Sequence, residues 1–491
     1  MELTDLVSLT PALILLVTAF GLLMLEVFSE GPDRSWANKI AVFGLAAALC
    51  ALSTNFGGIE NAELFSGAIL VDPFARHAAI VFVVAGIVAC LISPTYLRNA
   101  DCESGEYYAL ILFSIIGMMV MAMAADLMTL FLGLEVMSIA VYVLTGLRTQ
   151  SLRSSEAALK YFLMGAFATA FLLFGISMIY GSTGSVSLVA LKRSMTAGAD
   201  GILNLGLVLL LMGFSFKVAA VPFHSWAPDV YEGAPTPVTG FMAVAVKAAA
   251  FFGLLRILVV GMGDAAATSP LVVPLLTGIA IATILVGNLL ALVQRSVKRM
   301  LAYSSVSHAG YAMIGMVAVA KGEDSAASAV LFYLGAYTFM TLGAFGVLTF
   351  LERKEGQADS ERYGAYAGIG FKYPAIGLAM TLFMIALAGM PLTGGFVGKL
   401  YLFSAAIKAD LMFLVGFGIL GSVISIYYYL RVVVAFYMRD VPDPGPIAEG
   451  SPSQSIHYGL ILASAGVLVL GLLPGSWLEF TQQVIEALYA G

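Results

Sequence analysis

Fourteen apolar stretches follow one another along the chain, at about 11–28, 37–53, 73–93, 108–123, 126–147, 157–181, 202–221, 237–260, 271–293, 300–320, 326–350, 374–407, 411–438 and 456–474. An α-helix needs about 20 apolar residues to cross a bilayer, and within lipid each backbone polar group must be satisfied inside its own element. The pattern therefore predicts an all-α polytopic membrane protein of about 14 transmembrane helices. Composition agrees, since charged residues make up 11% of the chain against roughly 25% in a soluble domain. The flank of the first stretch holds Glu2 and Asp5 and no cation, so a retained helix is expected in place of a cleaved signal. Cys50, Cys90 and Cys102 lie far apart with no C-x-x-C, too few ligands for an iron–sulfur cluster or a structural zinc. No cofactor and no metal is expected on this chain, nucleic-acid binding is unsupported, and any redox chemistry must happen elsewhere.

Loop cations orient the bundle, because cytoplasmic loops carry the excess of Lys and Arg. Loops after odd-numbered helices hold Arg34, Lys39, Arg98, Arg148, Arg153, Arg295, Lys298, Arg299, Arg353, Lys354, Arg362, Lys372 and Arg439. Loops after even-numbered helices hold only Lys192, Arg193, Lys321 and Lys408. The odd loops are thus expected in the cytoplasm and both termini on the outer face of the membrane. Arg76, Arg256 and Arg431 fall near helix ends, where snorkelling to the headgroups accounts for them.

Five charges remain inside apolar stretches: Glu135, Lys160, Lys217, Lys247 and Lys399. An ionised group at the bilayer centre costs roughly 2.5–3.5 kcal/mol on insertion scales, so such a set points to function. Every deep cation is Lys. A guanidinium keeps its proton in a protein, whereas a buried ammonium can release one, which suits proton transfer better than salt-bridging. The competing readings are a buried ion pair that fixes helix register for Glu135 and a simple snorkel for Lys160, close to Arg153 and Glu156.

Two stretches are punctuated. Lys217 is followed by Pro222, Pro228, Pro235 and Pro237, and Pro391, Gly394 and Gly395 precede Lys399. Both helices are expected to break, and paired broken helices point to ion sites in inverted-repeat transporters. The chain then divides into N-terminal helices over 1–107, a first repeat over 108–260, a second over 261–440 and a last helix within 441–491. His308, in SSVSHAGYAMIG, could relay protons with Tyr303 and the hydroxyls of Ser304, Ser305 and Ser307, or form an interhelical hydrogen bond. His224, Asp229 and Glu232 serve either a helix cap and turn or proton uptake. GGFVGKL is no phosphate loop, lacking the first Gly and the Ser or Thr after Lys. His77 and His457 carry no readable message.

The segments LGLEVMSIAVYVLTG, EAALKYFLMGAFATAFLLFG, FKVAAVPFHSWAPDVYEGAPTPVTGFMAVAVKAAAF and VKRMLAYSSVSHAGY resemble the subunit N family of the bacterial proton-translocating NADH:quinone oxidoreductase, respiratory complex I. The likeness covers nearly the whole chain. Lys399 separates it from the sister subunit M, which typically carries Glu there, and a long lateral C-terminal helix, expected of subunit L, is missing. The resemblance implies an antiporter-like fold in which Glu135 pairs with Lys217 on broken helix seven, flanked by Lys160. The proton would continue through Lys247 to Lys399 on broken helix twelve, with His308 as a connector. The implied partners are the other membrane-arm subunits and lipid. NADH, flavin, iron–sulfur clusters and the quinone would belong to the rest of the assembly. The alternatives are a subunit of a cation/proton antiporter, a structural membrane subunit, and a proton-translocating subunit of a membrane-bound hydrogenase or plastid-type relative.

Overall fold

The computed structural model describes residues 7–30, 33–54, 62–352, 362–439 and 453–490. Arg353 and Lys354, two of the loop cations used above for orientation, lie outside these residues, as do Glu2 and Asp5. Among the described residues, eleven helices are long and apolar enough to cross a membrane. The first six are α1 (Thr10–Phe28), α2 (Ser35–Ser53), α3 (Pro73–Asn99), α4 (Gly105–Met123), α5 (Leu127–Thr145) and α6 (Leu152–Thr183). A short amphipathic helix, α7 (Leu188–Ala197), leads to α8 (Gly201–Lys217) and α9 (Trp226–Gly233). Then come α10 (Thr236–Met262), α11 (Val272–Leu292), α12 (Val297–Ala320) and α13 (Asp324–Leu351). The last five are α14 (Pro374–Ala388), α15 (Gly394–Lys408), α16 (Met412–Met438), α17 (Gln454–Leu472) and α18 (Gly475–Ala490).

The expected count of fourteen differs from eleven for local reasons. α8 and α14 are 17 and 15 residues long because each stops at a break. α12 carries Ser304, Ser305, Ser307 and His308 between Tyr303 and Tyr311, which lowers its apolar character although nearly all of it is buried. Three further elements escaped the apolar pattern. A two-stranded antiparallel hairpin, β1 (Ala62–Leu64) and β2 (Ile69–Val71), joins α2 to α3. α7 and α18 are too short and too polar to register as apolar stretches, and α18 packs across α3 and α13.

The connections keep to two opposite ends. Glu26 accepts from Arg34 at 2.5 Å and from the Gly105 amide at 2.8 Å, linking the segments after α1 and α3. Arg148, after α5, donates to the Tyr96 hydroxyl at 3.0 Å. At the other end, Asp126 pairs with Ser187 in a β-bridge and Lys192 packs on Gly263.

Packing in the two halves follows one pattern. α4 packs on α5 and α6 on α8; α11 packs on α12 and α13 on α15. Glycines set the close crossings: a Cβ at Gly117 would meet the Met137 amide in α5, and one at Gly310 would lie 2.9 Å from the Ile284 amide in α11. Backbones approach this closely in membranes because dispersion and small residues, not hydrophobic exclusion, drive helix association there.

Candidate functional site

α8 ends at Lys217, and the chain then turns through Ala219, whose φ is 57°, before resuming as α9. The freed backbone is satisfied by side chains from elsewhere. The Val221 amide donates to Thr283 Oγ1 at 2.9 Å, and Trp226 Nε1 donates to the Phe216 carbonyl at 3.1 Å. Irregular backbone inside a membrane protein needs such partners. Lys217 is 1% exposed, and its Nζ donates to Ser138 Oγ at 2.8 Å and to the Tyr142 hydroxyl at 3.2 Å, both on α5.

Glu135, Ser138 and Tyr142 recur at helical spacing, so they share a face of α5. The expected Glu135–Lys217 pair is not a direct one. No ion pair within 4.0 Å joins them, Ser138 and Tyr142 occupy the ammonium, and the buried Glu135 Oε1 has no hydrogen-bond partner. The carboxylate remains within electrostatic reach of Lys217 from one turn away.

The second break is built in mirror order. α14 ends at Gly389, with φ 82°, and Thr393 caps α15 by accepting from the Phe396 amide at 3.4 Å. Lys399, 4% exposed, reaches back to the last turn of α14 and donates to the Leu387 and Ala388 carbonyls at 3.1 and 3.2 Å. A helix C-terminus leaves such carbonyls free and favours a cation. The Lys399 ammonium also lies 4.7 Å from the centre of the Tyr311 ring.

Between the breaks, α10 carries Lys247 between two π turns, Met242–Val246 and Ile257–Met262. Lys247 is 2% exposed and donates to the Ser305 carbonyl at 2.7 Å and to the Ser305 hydroxyl. On the same helix as Ser305, His308 is buried between two hydroxyls, Nδ1 2.6 Å from Tyr333 OH and Nε2 2.9 Å from Tyr429 OH. Tyr429 in turn meets Ser304. His308 therefore has both the interhelical bonds and the hydroxyl neighbours a relay needs, but Tyr333 and Tyr429 supply them together with Ser304, and Tyr303 does not. These tyrosines carry no sequence signal of their own, because one buried Tyr among 21 reads as core.

Lys160 departs furthest from expectation. It is 43% exposed and pairs with Glu156 at 2.6 Å and with Asp229 at 3.3 Å. Asp229 also meets Arg299 at 3.0 Å, and Arg299 meets Glu232 at 2.5 Å. Arg153, Glu156, Lys160, Asp229 and Glu232 line an open cavity. Lys160 belongs to this cavity at the cation-rich end instead of flanking Lys217 directly. An aromatic wall separates the two: Tyr161 packs edge-on against Tyr142, 4.7 Å between centres, and stacks on Trp226 at 4.6 Å. His224 stands in the break with a buried, unpartnered Nδ1.

Two arginines also depart from the snorkelling expectation. Arg256 is 0% exposed and grips Asp72 through two hydrogen bonds of 2.8 Å, over the Phe74 ring at 4.9 Å. Arg431 donates to the Leu292 and Gln294 carbonyls at the end of α11 and stacks 3.9 Å from the Tyr363 ring centre. Both hold helix ends together inside the protein.

The model of the NADH:quinone oxidoreductase/Mrp antiporter transmembrane family matches residues 124–425, which contain all of these lysines and both breaks. This chain belongs to that family. Among its relatives is NADH-quinone oxidoreductase subunit N of Trichlorobacter lovleyi, 43% identical over 97% of this chain and 96% of that one. The subunit N of Myxococcus xanthus is 41% identical over 98% of both. A chain of respiratory complex I from Thermus thermophilus, 33% identical, superposes with a TM-score of 0.79 over 98% of this chain and all of that one. A chain of the Mrp complex of a Dietzia species shares the fold, with a TM-score of 0.84 at 20% identity over 99% of this chain and 98% of that one.

Proposed function

We propose that this chain is the subunit N of a bacterial proton-translocating NADH:quinone oxidoreductase, moving protons outward along Lys217, Lys247 and Lys399. The observation that carries the reading is the chemistry of their acceptors. Each buried ammonium is held by neutral hydroxyl or carbonyl oxygens and none by a carboxylate within 4.0 Å. A structural ion pair locks the charged form, and removing either charge leaves the other stranded. A hydroxyl can donate to a neutral amine as readily as it accepts from an ammonium, so Ser138, Tyr142 and Ser305 serve both protonation states.

In this reading the cavity at Lys160, Asp229, Glu232 and Arg299 collects protons from the cytoplasm. Movement of the Tyr142–Tyr161–Trp226 wall, adjoining the break at His224, opens the way to Lys217. The ammonium there is favoured by the nearby charge of Glu135 and opposed by burial. A neighbouring subunit that displaces Glu135 would release the proton toward Lys247. Ser304, Ser305, His308, Tyr333 and Tyr429 then form the route from Lys247 toward Tyr311 and Lys399. Residues 108–260 and 261–440 act as two inverted repeats, each supplying one broken helix. The NADH, flavin, iron–sulfur and quinone chemistry would lie in other subunits, whose rearrangement drives the step against roughly 2.3 kcal/mol per charge per 100 mV.

The cation/proton antiporter reading asks for oxygen ligands around a metal cation. Among the described residues no cluster of three or more His, Cys, Asp or Glu could hold one. Purifying the tagged chain from its native membrane tests the assignment. Recovery in an assembly that oxidises NADH with quinone and acidifies vesicles is expected; recovery only in an assembly that exchanges cations for protons without NADH oxidation would overturn it.

A further inference from the structure

Near one end of the bundle, the start of α1, the end of α2, the start of α3 and the end of α4 surround a narrow open cleft of about 90 Å³. Its walls are apolar, with Leu9, Ala12, Leu52 and Met119 among them. Two charged residues, Asp72 and Arg76, line it as well. They are not equivalent. Asp72 is already committed, one oxygen to each terminal nitrogen of Arg256, with Oδ1 also capping the Ala75 amide at 2.7 Å. Arg76 is half-buried and has no hydrogen bond or ion pair with any described residue. The cleft precedes residue 124, where the family match begins, and lies apart from the lysine route.

From these observations we infer that the cleft is a binding site for one phospholipid of the outer leaflet, its phosphate on Arg76 and an acyl chain between α1, α2 and α4. The chemistry is complementary at both ends. A guanidinium binds a phosphate through paired, charge-assisted hydrogen bonds, and it does so in the interfacial layer where helix ends and headgroups meet. The Asp72 carboxylate does not repel the phosphate as a free charge would, because Arg256 pairs with it through both of its oxygens. An acyl chain fills the apolar depth that water would leave poorly solvated.

The test uses the intact complex in its native membrane. Leu9→p-benzoylphenylalanine places a photoreactive ketone at the wall, and the mass of the adduct on this chain identifies the occupant after illumination. A phospholipid adduct is expected, with the headgroup mass separating phosphatidylglycerol from phosphatidylethanolamine. It should fall roughly ten-fold with Arg76→Gln, the worth of one charge-assisted hydrogen bond, and also with Ala12→Phe, which fills the cleft while keeping the charge. NADH-dependent pumping by these variants confirms assembly. A cross-link to the chain's own residues 1–6 or to another protein, no adduct at all, or a lipid adduct indifferent to Arg76→Gln would each overturn the inference.

Discussion

Ser138 sits between the two groups that sequence reasoning would join directly. Lys217 is held by Ser138 and Tyr142, with Glu135 one turn away on the same helix as these two; in the proposed function the carboxylate tunes the lysine and does not carry the proton itself. Glu135→Gln removes the charge and keeps the shape, whereas Glu135→Asp keeps the charge on a shorter arm. Pumping per NADH oxidised, followed with a pH-sensitive dye in reconstituted vesicles, should fall further in Gln than in Asp; equal activity in Gln and wild type would mean the charge has no role. Lys217→Arg asks a different question. A guanidinium retains the charge and cannot release its proton, so pumping should drop below about a tenth of wild type, at least 1.4 kcal/mol in the transfer step, while NADH oxidation shows the complex assembled. At this scale the burial of Lys217, Lys247 and Lys399 was legible from their depth in the apolar stretches, whereas the exposure of Lys160 and the part of Ser138, Tyr142, Tyr333 and Tyr429 were not. Their role comes from which helix faces them, and hydropathy holds no information on that.

Among the elements, α10 is nearly all buried. It carries Lys247 between two π turns, and nine residues on, Arg256 ties it to the start of α3 through Asp72. Removing one member of a buried pair costs about 3–5 kcal/mol, while replacing both with uncharged groups costs far less. Arg256→Met and Asp72→Asn should each lower the thermal stability of the assembled complex, and the double variant should recover most of the loss; additive losses would contradict a clamp. The break before α15 makes a second demand. A Cβ at Gly395 would press on the Ala386 carbonyl, so Gly395→Ala should displace α14 from α15 and with it the carbonyls that hold Lys399. The expected result is a complex that oxidises NADH but pumps less than half as well, checked in the same vesicles. Both breaks were legible from Pro and Gly runs, because those residues interrupt a helix by known means. Arg256 was misread as a snorkelling side chain because its partner lies 184 positions away, beyond any local pattern.

For the molecule as a whole, the excess of loop cations after odd-numbered helices predicts that a reporter fused after Gly491 lies on the outer face of the membrane. A cytoplasmic signal would mean that a helix was miscounted. Membrane class and helix order could be read from hydropathy, because a bilayer imposes one length on every span. The hairpin and the amphipathic helices α7 and α18 could not, since they lie at the ends of the bundle where that constraint lapses. The central claim is that lysines held by neutral oxygens pass protons across this chain. Lys247 tests it best, being buried on α10 and, among the described residues, hydrogen-bonded to Ser305 alone. The decisive measurement is the number of protons moved per NADH by the assembled complex carrying Lys247→Ala, reconstituted in sealed vesicles. The account predicts a clear fall in that ratio with electron transfer retained; an unchanged ratio would remove Lys247 from the path and contradict it.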